Sequence, residues 1–114
     1  MAEPVIRDPA KLEWEDADLF KLPAGVRMKL LNEDKETERR DMLVYFPPGY
    51  VEPRHVHGGW HIAVLLEGTW IVEGQSLQPG GYFFGPADVE HGPFESPEGC
   101  TVFGVMFGDP VHKY

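Results

Sequence analysis

Short apolar runs, each ended by glycine or proline, constrain the fold of this chain more than any other feature. The 13 glycines and 11 prolines are spread singly or in pairs over 114 residues, so they mark turns and not low-complexity sequence. Between them lie segments too brief for ordinary helices: Val26–Asn32, Thr37–Phe46, Tyr50–His57, Trp60–Leu66, Thr69–Glu73, Tyr82–Gly85, His91–Glu95 and Thr101–Phe107. Roughly eight to ten short strands joined by such turns predict an all-β sandwich, jelly roll or barrel. There is no internal repeat, and a chain of this length holds one core and not two.

Residues 1–25 read as an N-terminal arm before a barrel that spans 26–114 and ends in a short tail. Pro4, Pro9 and Pro23 interrupt the arm, while Leu12, Trp14, Leu19, Phe20 and Leu22 need cover. One short helical turn is expected around Lys11–Asp18. The arm should pack across the barrel or onto a neighbouring subunit. Two strands, His61–Leu66 and Thr101–Phe107, are apolar on both faces. A strand in an outer wall normally shows water a polar face, so the second sheet, the N-terminal arm or a second copy of the chain must cover them, and a homodimer is the preferred expectation.

The formal charge is −9 with a pI near 4.9. Such a surface repels phosphate backbones and anionic lipid, so neither nucleic acid nor membrane is expected as a partner. No stretch reaches the length of a membrane span, and the start Met1-Ala2-Glu3-Pro4 lacks the basic and apolar parts of a signal peptide. Cys100 is the only cysteine, so an intrachain disulfide and a thiolate metal cluster are both excluded. The expected compartment is the cytoplasm.

Four of the five histidines lie between residues 55 and 91, and three of them crowd into His55-Val56-His57-Gly58-Gly59-Trp60-His61. On a strand, 55 and 57 point to one side because side chains repeat every second residue. His61 shares their parity, yet a straight strand would carry it about 13 Å past His57. Two imidazoles on one ion each need a nitrogen about 2.1 Å from it. The chain must therefore bend, and Gly58-Gly59 is the place where unusual backbone angles cost least. A lone histidine is usually a hydrogen-bonded core or surface residue; three in seven residues on one face favour a metal site.

At these residues the sequence resembles the cupin superfamily. Gly49, His55, His57, His61 and Gly68 reproduce the spacing of its first motif, G-x5-H-x-H-x3-E-x6-G, with His61 standing where most cupins carry glutamate. Pro79-Gly80-Gly81, Pro86 and His91 match the second motif. The resemblance covers residues 26–108 and implies a double-stranded β-helix, the jelly-roll barrel of cupins. It implies one divalent transition metal held by His55, His57 and His91, with His61 as fourth ligand. Pro93 to Thr101 is similar to the zinc-binding cupin domain of ChrR-like anti-sigma factors. The layout from Trp14 to Gly49 is similar to cupin dioxygenases that cleave acetylacetone or dihydroxyacetophenone at three-histidine iron sites.

Four neutral imidazoles leave the ion its full charge, a strong Lewis acid suited to a chelating enolate. Imidazole sites accept iron, manganese, nickel, zinc and copper; iron or manganese fits oxygen chemistry. The expected function is thus a metal-dependent dioxygenase acting on a small diketone or hydroxyketone. The alternative is a non-catalytic regulatory cupin that binds metal and a small ligand; sugar isomerisation is the weaker third reading. Glu95 has the parity of His91 and is expected to face the pocket, as a hydrogen-bond partner of a ligand ring or as a base. Asp88 and Glu90 read as surface carboxylates, Arg54 as pointing away from the ligands, and His112, in the tail, as solvated. Trp60, Trp70, Tyr45, Phe84, Phe94, Phe103 and Met106 are candidates to line an apolar cavity.

Overall fold

Turn chemistry cuts the chain into ten strands, seen in a computed structural model that describes residues 3–114. They are β1 (Glu15–Asp16), β2 (Arg27–Asp34), β3 (Arg39–Phe46), β4 (Tyr50–Glu52), β5 (His61–Gly68), β6 (Trp70–Val72), β7 (Gln75–Leu77), β8 (Tyr82–Gly85), β9 (Phe94–Ser96) and β10 (Cys100–Phe107). All pairs are antiparallel, in a six-stranded sheet of order β1-β2-β3-β10-β5-β8 and a four-stranded sheet of order β4-β9-β6-β7. The described residues contain no α-helix. Strands β5 and β10 lie side by side in the larger sheet, with Ala63 opposite Gly104 and His61 opposite Met106.

The inner faces meet in one core built on Met42, Phe46, Leu65, Trp70, Val72, Phe94 and Val102. Along β5 burial alternates: His61, Ala63 and Leu65 are buried, Ile62 and Val64 half-buried and Leu66 exposed. In β10 the same rule leaves Phe103, Val105 and Phe107 half-buried on the outside. The two strands that read as apolar on both faces thus carry one core face and one outer face that this chain only partly covers.

The arm packs across the barrel. Its predicted helical turn is two separate 3-10 turns, Pro9–Lys11 and Asp18–Phe20, with β1 between them pairing to β2. Proline at the first position of the earlier turn and the Asp8 carboxylate accepting from Ala10 N–H start it, and extended backbone at Leu12 ends it after three residues. Ala17 and Phe20 reach the core, and Trp14 packs on Tyr45 with Lys29 Nζ 4.6 Å from its ring.

The predicted strand Tyr50–His57 is shorter than expected. It stops at Glu52, and Pro53, which has no N–H to give a ladder, follows. Beyond it the backbone is held by two single bridges. His55 and His91 exchange both N–H···O=C bonds at 2.9 Å, and Val56 does the same with Lys113 in the tail at 2.9 and 2.8 Å.

The role expected of Gly58-Gly59 also changes. Neither glycine takes a left-handed φ. Gly59 is needed because the backbone of Phe107 and Gly108 passes so close that a Cβ would collide with the Phe107 carbonyl. Left-handed backbone occurs instead at Gly68 (φ 86°), where β5 turns the corner against Gly99 and Cys100.

Candidate metal centre

Three loops and strand ends deliver the histidines to one end of the barrel. His55 and His57 come from the bridged segment after β4, His61 from the first residue of β5, and His91 from the loop before β9. All four are buried, at 1%, 1%, 7% and 3% exposure. The ligand atoms of His55, His57 and His91 lie within 4.8 Å of one another. Two imidazoles on one ion stand at most about 4.2 Å apart, twice a metal–nitrogen bond. A small inward adjustment therefore places one ion among the three.

Each of these rings is aimed by its own backbone. The Nδ1 of His55 lies 2.9 Å from the Pro53 carbonyl, that of His57 2.6 Å from Gly59, and that of His91 3.0 Å from Val89. Carbonyl oxygens only accept, so Nδ1 carries the proton in each case and Nε2 presents a lone pair. Those three Nε2 atoms are buried and have no hydrogen-bond partner. A buried polar atom left unpaired costs about 1–3 kcal/mol. Three such atoms brought together could hold a divalent ion, so the residues fit the metal that the sequence implies.

Burial also keeps the rings neutral. Desolvation lowers the pKa of His55 to about 4 and lowers those of His57, His61 and His91, with neighbouring imidazoles contributing at His55, His61 and His91. Neutral imidazole is the form that binds metal.

His61 stands beside the trio, its ring 4.5 Å from that of His57 and 5.2 Å from that of His91. Its nitrogens do not join the 4.8 Å group, although its Nδ1 is buried and unpaired. Gly85 makes room for it: a Cβ there would lie 3.2 Å from His61 Nε2.

Next to the cluster, between the sheets, is a cavity of about 60 Å³ with almost wholly apolar walls. Met42, Trp70, Phe94 and Met106 line it, and His61, His112 and Glu52 form its polar edge. The indole N–H of Trp70, one of the lining residues, is buried without a partner. Of the other aromatic candidates, Trp60 stacks on Phe107 at 4.4 Å, and Phe84 is largely exposed.

The remaining expectations divide. Glu95 is half-buried between buried Phe94 and Ser96, so strand alternation puts it on the opposite side from Phe94, whose ring packs on His55 at 5.2 Å. The parity argument from His91 does not carry, because Gly92 and Pro93 lie outside the strand and interrupt the alternation. Arg54 pairs with Glu90 at 2.7 Å on the surface. His112 is not solvated: it is 8% exposed, its ring 4.6 Å from His55 and 4.8 Å from His57.

Glu52 is the functional-site residue the sequence reading missed. It is 1% exposed; its Oε1 accepts from Tyr50 hydroxyl at 2.9 Å, and its Oε2 lies 3.2 Å from Tyr114 hydroxyl and 3.4 Å from His55 Nδ1. Desolvation pushes its pKa up to about 7, against the pull of the two tyrosine bonds. The one available signal was its parity with Tyr50 on a strand leading into the histidine segment.

Two packed antiparallel sheets with a histidine cluster at one end define a cupin. The sequence matches the family model of the ChrR cupin-like domain over residues 3–108, and the chain belongs to that family. No curated protein matches it. Solved structures share the fold. An RmlC-like cupin from Ralstonia eutropha is 21% identical with TM-score 0.73, over 89% of this chain and 66% of that one. An acetylacetone dioxygenase from Acinetobacter johnsonii is 20% identical with TM-score 0.71, over 95% and 75%. A chain in the Rhodobacter sphaeroides complex of SigE with the anti-sigma ChrR is 23% identical with TM-score 0.66, over 87% and 51%. The present chain thus spans about two thirds of the first and half of the last.

Proposed function

We propose that this protein is a mononuclear metal cupin whose centre, His55, His57 and His91 with His61 as fourth ligand, acts as a dioxygenase on a small diketone or hydroxyketone. The observation that carries the proposal is the convergence of three unpaired Nε2 atoms beside an apolar cavity. A bound iron or manganese ion would supply a Lewis acid and a site for dioxygen. The protein supplies the rest. Backbone carbonyls hold the ligand rings in one tautomer, and the apolar walls exclude water. By the space one water needs, about 10–15 Å³, the cavity suits a ligand of roughly four to six non-hydrogen atoms. The unpaired Trp70 N–H offers such a ligand one donor for a carbonyl oxygen.

A second copy of the chain is proposed to cover the outer face of β5 and β10, where Ile62, Val64, Leu66, Phe103 and Val105 lie together. One self-complementary apolar patch is what a two-fold dimer requires. The regulatory reading draws its support from the family itself, a domain named for ChrR.

Elemental analysis of protein purified without chelator, with oxygen uptake over a panel of diketones and hydroxyketones, separates the two. Near-stoichiometric iron or manganese with substrate-dependent uptake is expected. Zinc or nickel with no uptake transfers the case to the regulatory reading, and metal-free protein that takes up none of these ions removes the centre. His61→Ala should weaken metal about tenfold or more; an unchanged affinity removes His61 from the ligand set.

A further inference from the structure

His55 differs from its two companions. The rings of His57 and His91 are each held by a single backbone carbonyl, whereas His55 has the Pro53 carbonyl at 2.9 Å and a buried carboxylate oxygen of Glu52 at 3.4 Å, both at Nδ1. We propose that Glu52 is a positioning residue that fixes the ring of His55 and raises the basicity of its Nε2, and that the tail residues His112 and Tyr114 hold Glu52 in place. This rests on the metal centre argued above.

The geometry around Glu52 is closed. Tyr50, two residues earlier on the same face of β4, donates to Oε1. The Tyr114 hydroxyl is shared between Oε2 at 3.2 Å and the Lys21 carbonyl at 2.9 Å. His112 Nε2 lies 3.8 Å from Oε2, and both the Nδ1 and the backbone N–H of His112 bond the Phe20 carbonyl, at 3.2 and 2.9 Å. With Lys113 bridged to Val56, the tail is tied at consecutive residues to the arm, to the histidine segment and to Glu52. A carbonyl alone sets the tautomer of a ligand histidine. A carboxylate oxygen 3.4 Å from the same nitrogen adds a negative charge that favours electron density at the metal-binding nitrogen, and removing partners of ligand histidines typically weakens metal 10- to 100-fold.

Glu52, His55 and His112 also form a group with donor atoms within 4.8 Å of one another, the spread of a second ion site. In contrast to the three Nε2 atoms, the Glu52 oxygens and His55 Nδ1 already have protein partners, which favours positioning over ligation.

The test uses the full chain loaded with Co²⁺, a probe whose visible spectrum reports ligand geometry. Wild type, Glu52→Gln and Tyr114→Phe are compared by competition with a chromophoric chelator and by absorption. Glu52→Gln keeps the bond from Tyr50 but turns an amide donor towards Nδ1–H. It should retain one Co²⁺ per chain, weaken it at least tenfold and shift its absorption bands. Tyr114→Phe, at a residue 61% exposed and so harmless to folding, should move affinity and spectrum the same way by less. Wild-type affinity and spectrum in both variants overturn the proposal alone, as do two Co²⁺ in wild type falling to one in Glu52→Gln. If Glu52→Gln does not fold, Tyr114→Phe decides by the same readouts. Wild type that takes up no Co²⁺ overturns the metal centre and this proposal together.

Discussion

The two sides of His55 are built on opposite principles. On one side, three Nε2 atoms are buried with nothing to bond. On the other, Glu52, Tyr50, Tyr114 and His112 form a layer in which every hydroxyl and carboxylate oxygen has a partner within 3.2 Å. Apart from Tyr114, which is exposed, the groups on both sides are buried, so burial alone does not separate them. Satisfaction does: hydrogen bonds within the fold account for the bonded layer, while the unbonded face leaves three buried nitrogens free to accept a cation. Buried polar groups left open in a well-packed protein mark the place where a ligand completes the structure.

The largest expected effect tests the open face. His57→Ala or His91→Ala should reduce bound metal from about one ion per chain to below a tenth, measured by elemental analysis after dialysis. Metal should also raise the stability of wild type, by about 2.7 kcal/mol at a hundred times its dissociation constant, and leave His57→Ala unchanged in the same denaturation series. Full metal in either variant would erase the contrast.

The bonded layer should respond in the metal-free protein instead. Glu52→Ala strips the buried Tyr50 hydroxyl of its acceptor and leaves a cavity, at a cost of about 2 kcal/mol in urea unfolding. His57→Ala removes the unpaired Nε2 and only one bonded atom, the Nδ1 on the Gly59 carbonyl, against two tyrosine bonds at Glu52, and should cost the metal-free fold less. Equal losses would show that the two sides are not distinct.

Acid sharpens the difference because the two sides titrate in opposite senses. The histidine pKa values lie below the ordinary 6.5, about 4 for His55 and about 3 for His112, because desolvation disfavours the charged ring. From pH 6.5 down through about 4, the unfolded chain binds protons that the folded chain does not, so stability falls as pH falls. Glu52, raised to about 7 from 4.5, binds its proton first in the folded state, so its contribution increases as pH falls from 7 to 4.5. Five buried imidazoles against one carboxyl predict a net loss of metal-free stability on acidification. Glu52→Gln removes the opposing group, and its pH profile should be the steeper of the two. A flat wild-type profile between pH 6.5 and 4.5 would mean that the rings are not buried neutral in solution.

Much of this molecule is legible in the sequence because its signals are local. Gly and Pro punctuation sets strand ends through backbone angles and a missing donor. The apolar runs His61–Leu66 and Thr101–Phe107 read as strands, although only packing decides which of their two apolar faces is the core. The spacing of His55, His57 and His61 identifies a histidine-rich face without any fold being known, and the family's second motif adds His91. What stayed hidden depends on segments far apart in the chain. Gly59 is required by the passage of Phe107, which no neighbouring residue announces. Glu95 turns outward because Gly92 and Pro93 break the alternation that its parity with His91 presumes. Nothing local beyond its parity with Tyr50 singles out Glu52, and His112 reads as a solvated tail residue, until closure of the barrel brings the tail across β4 and the arm. Burial is a property of the packed chain, and a carboxylate or imidazole takes its chemistry from burial; sequence chose the candidate metal donors, and only tertiary structure decided what stands behind them.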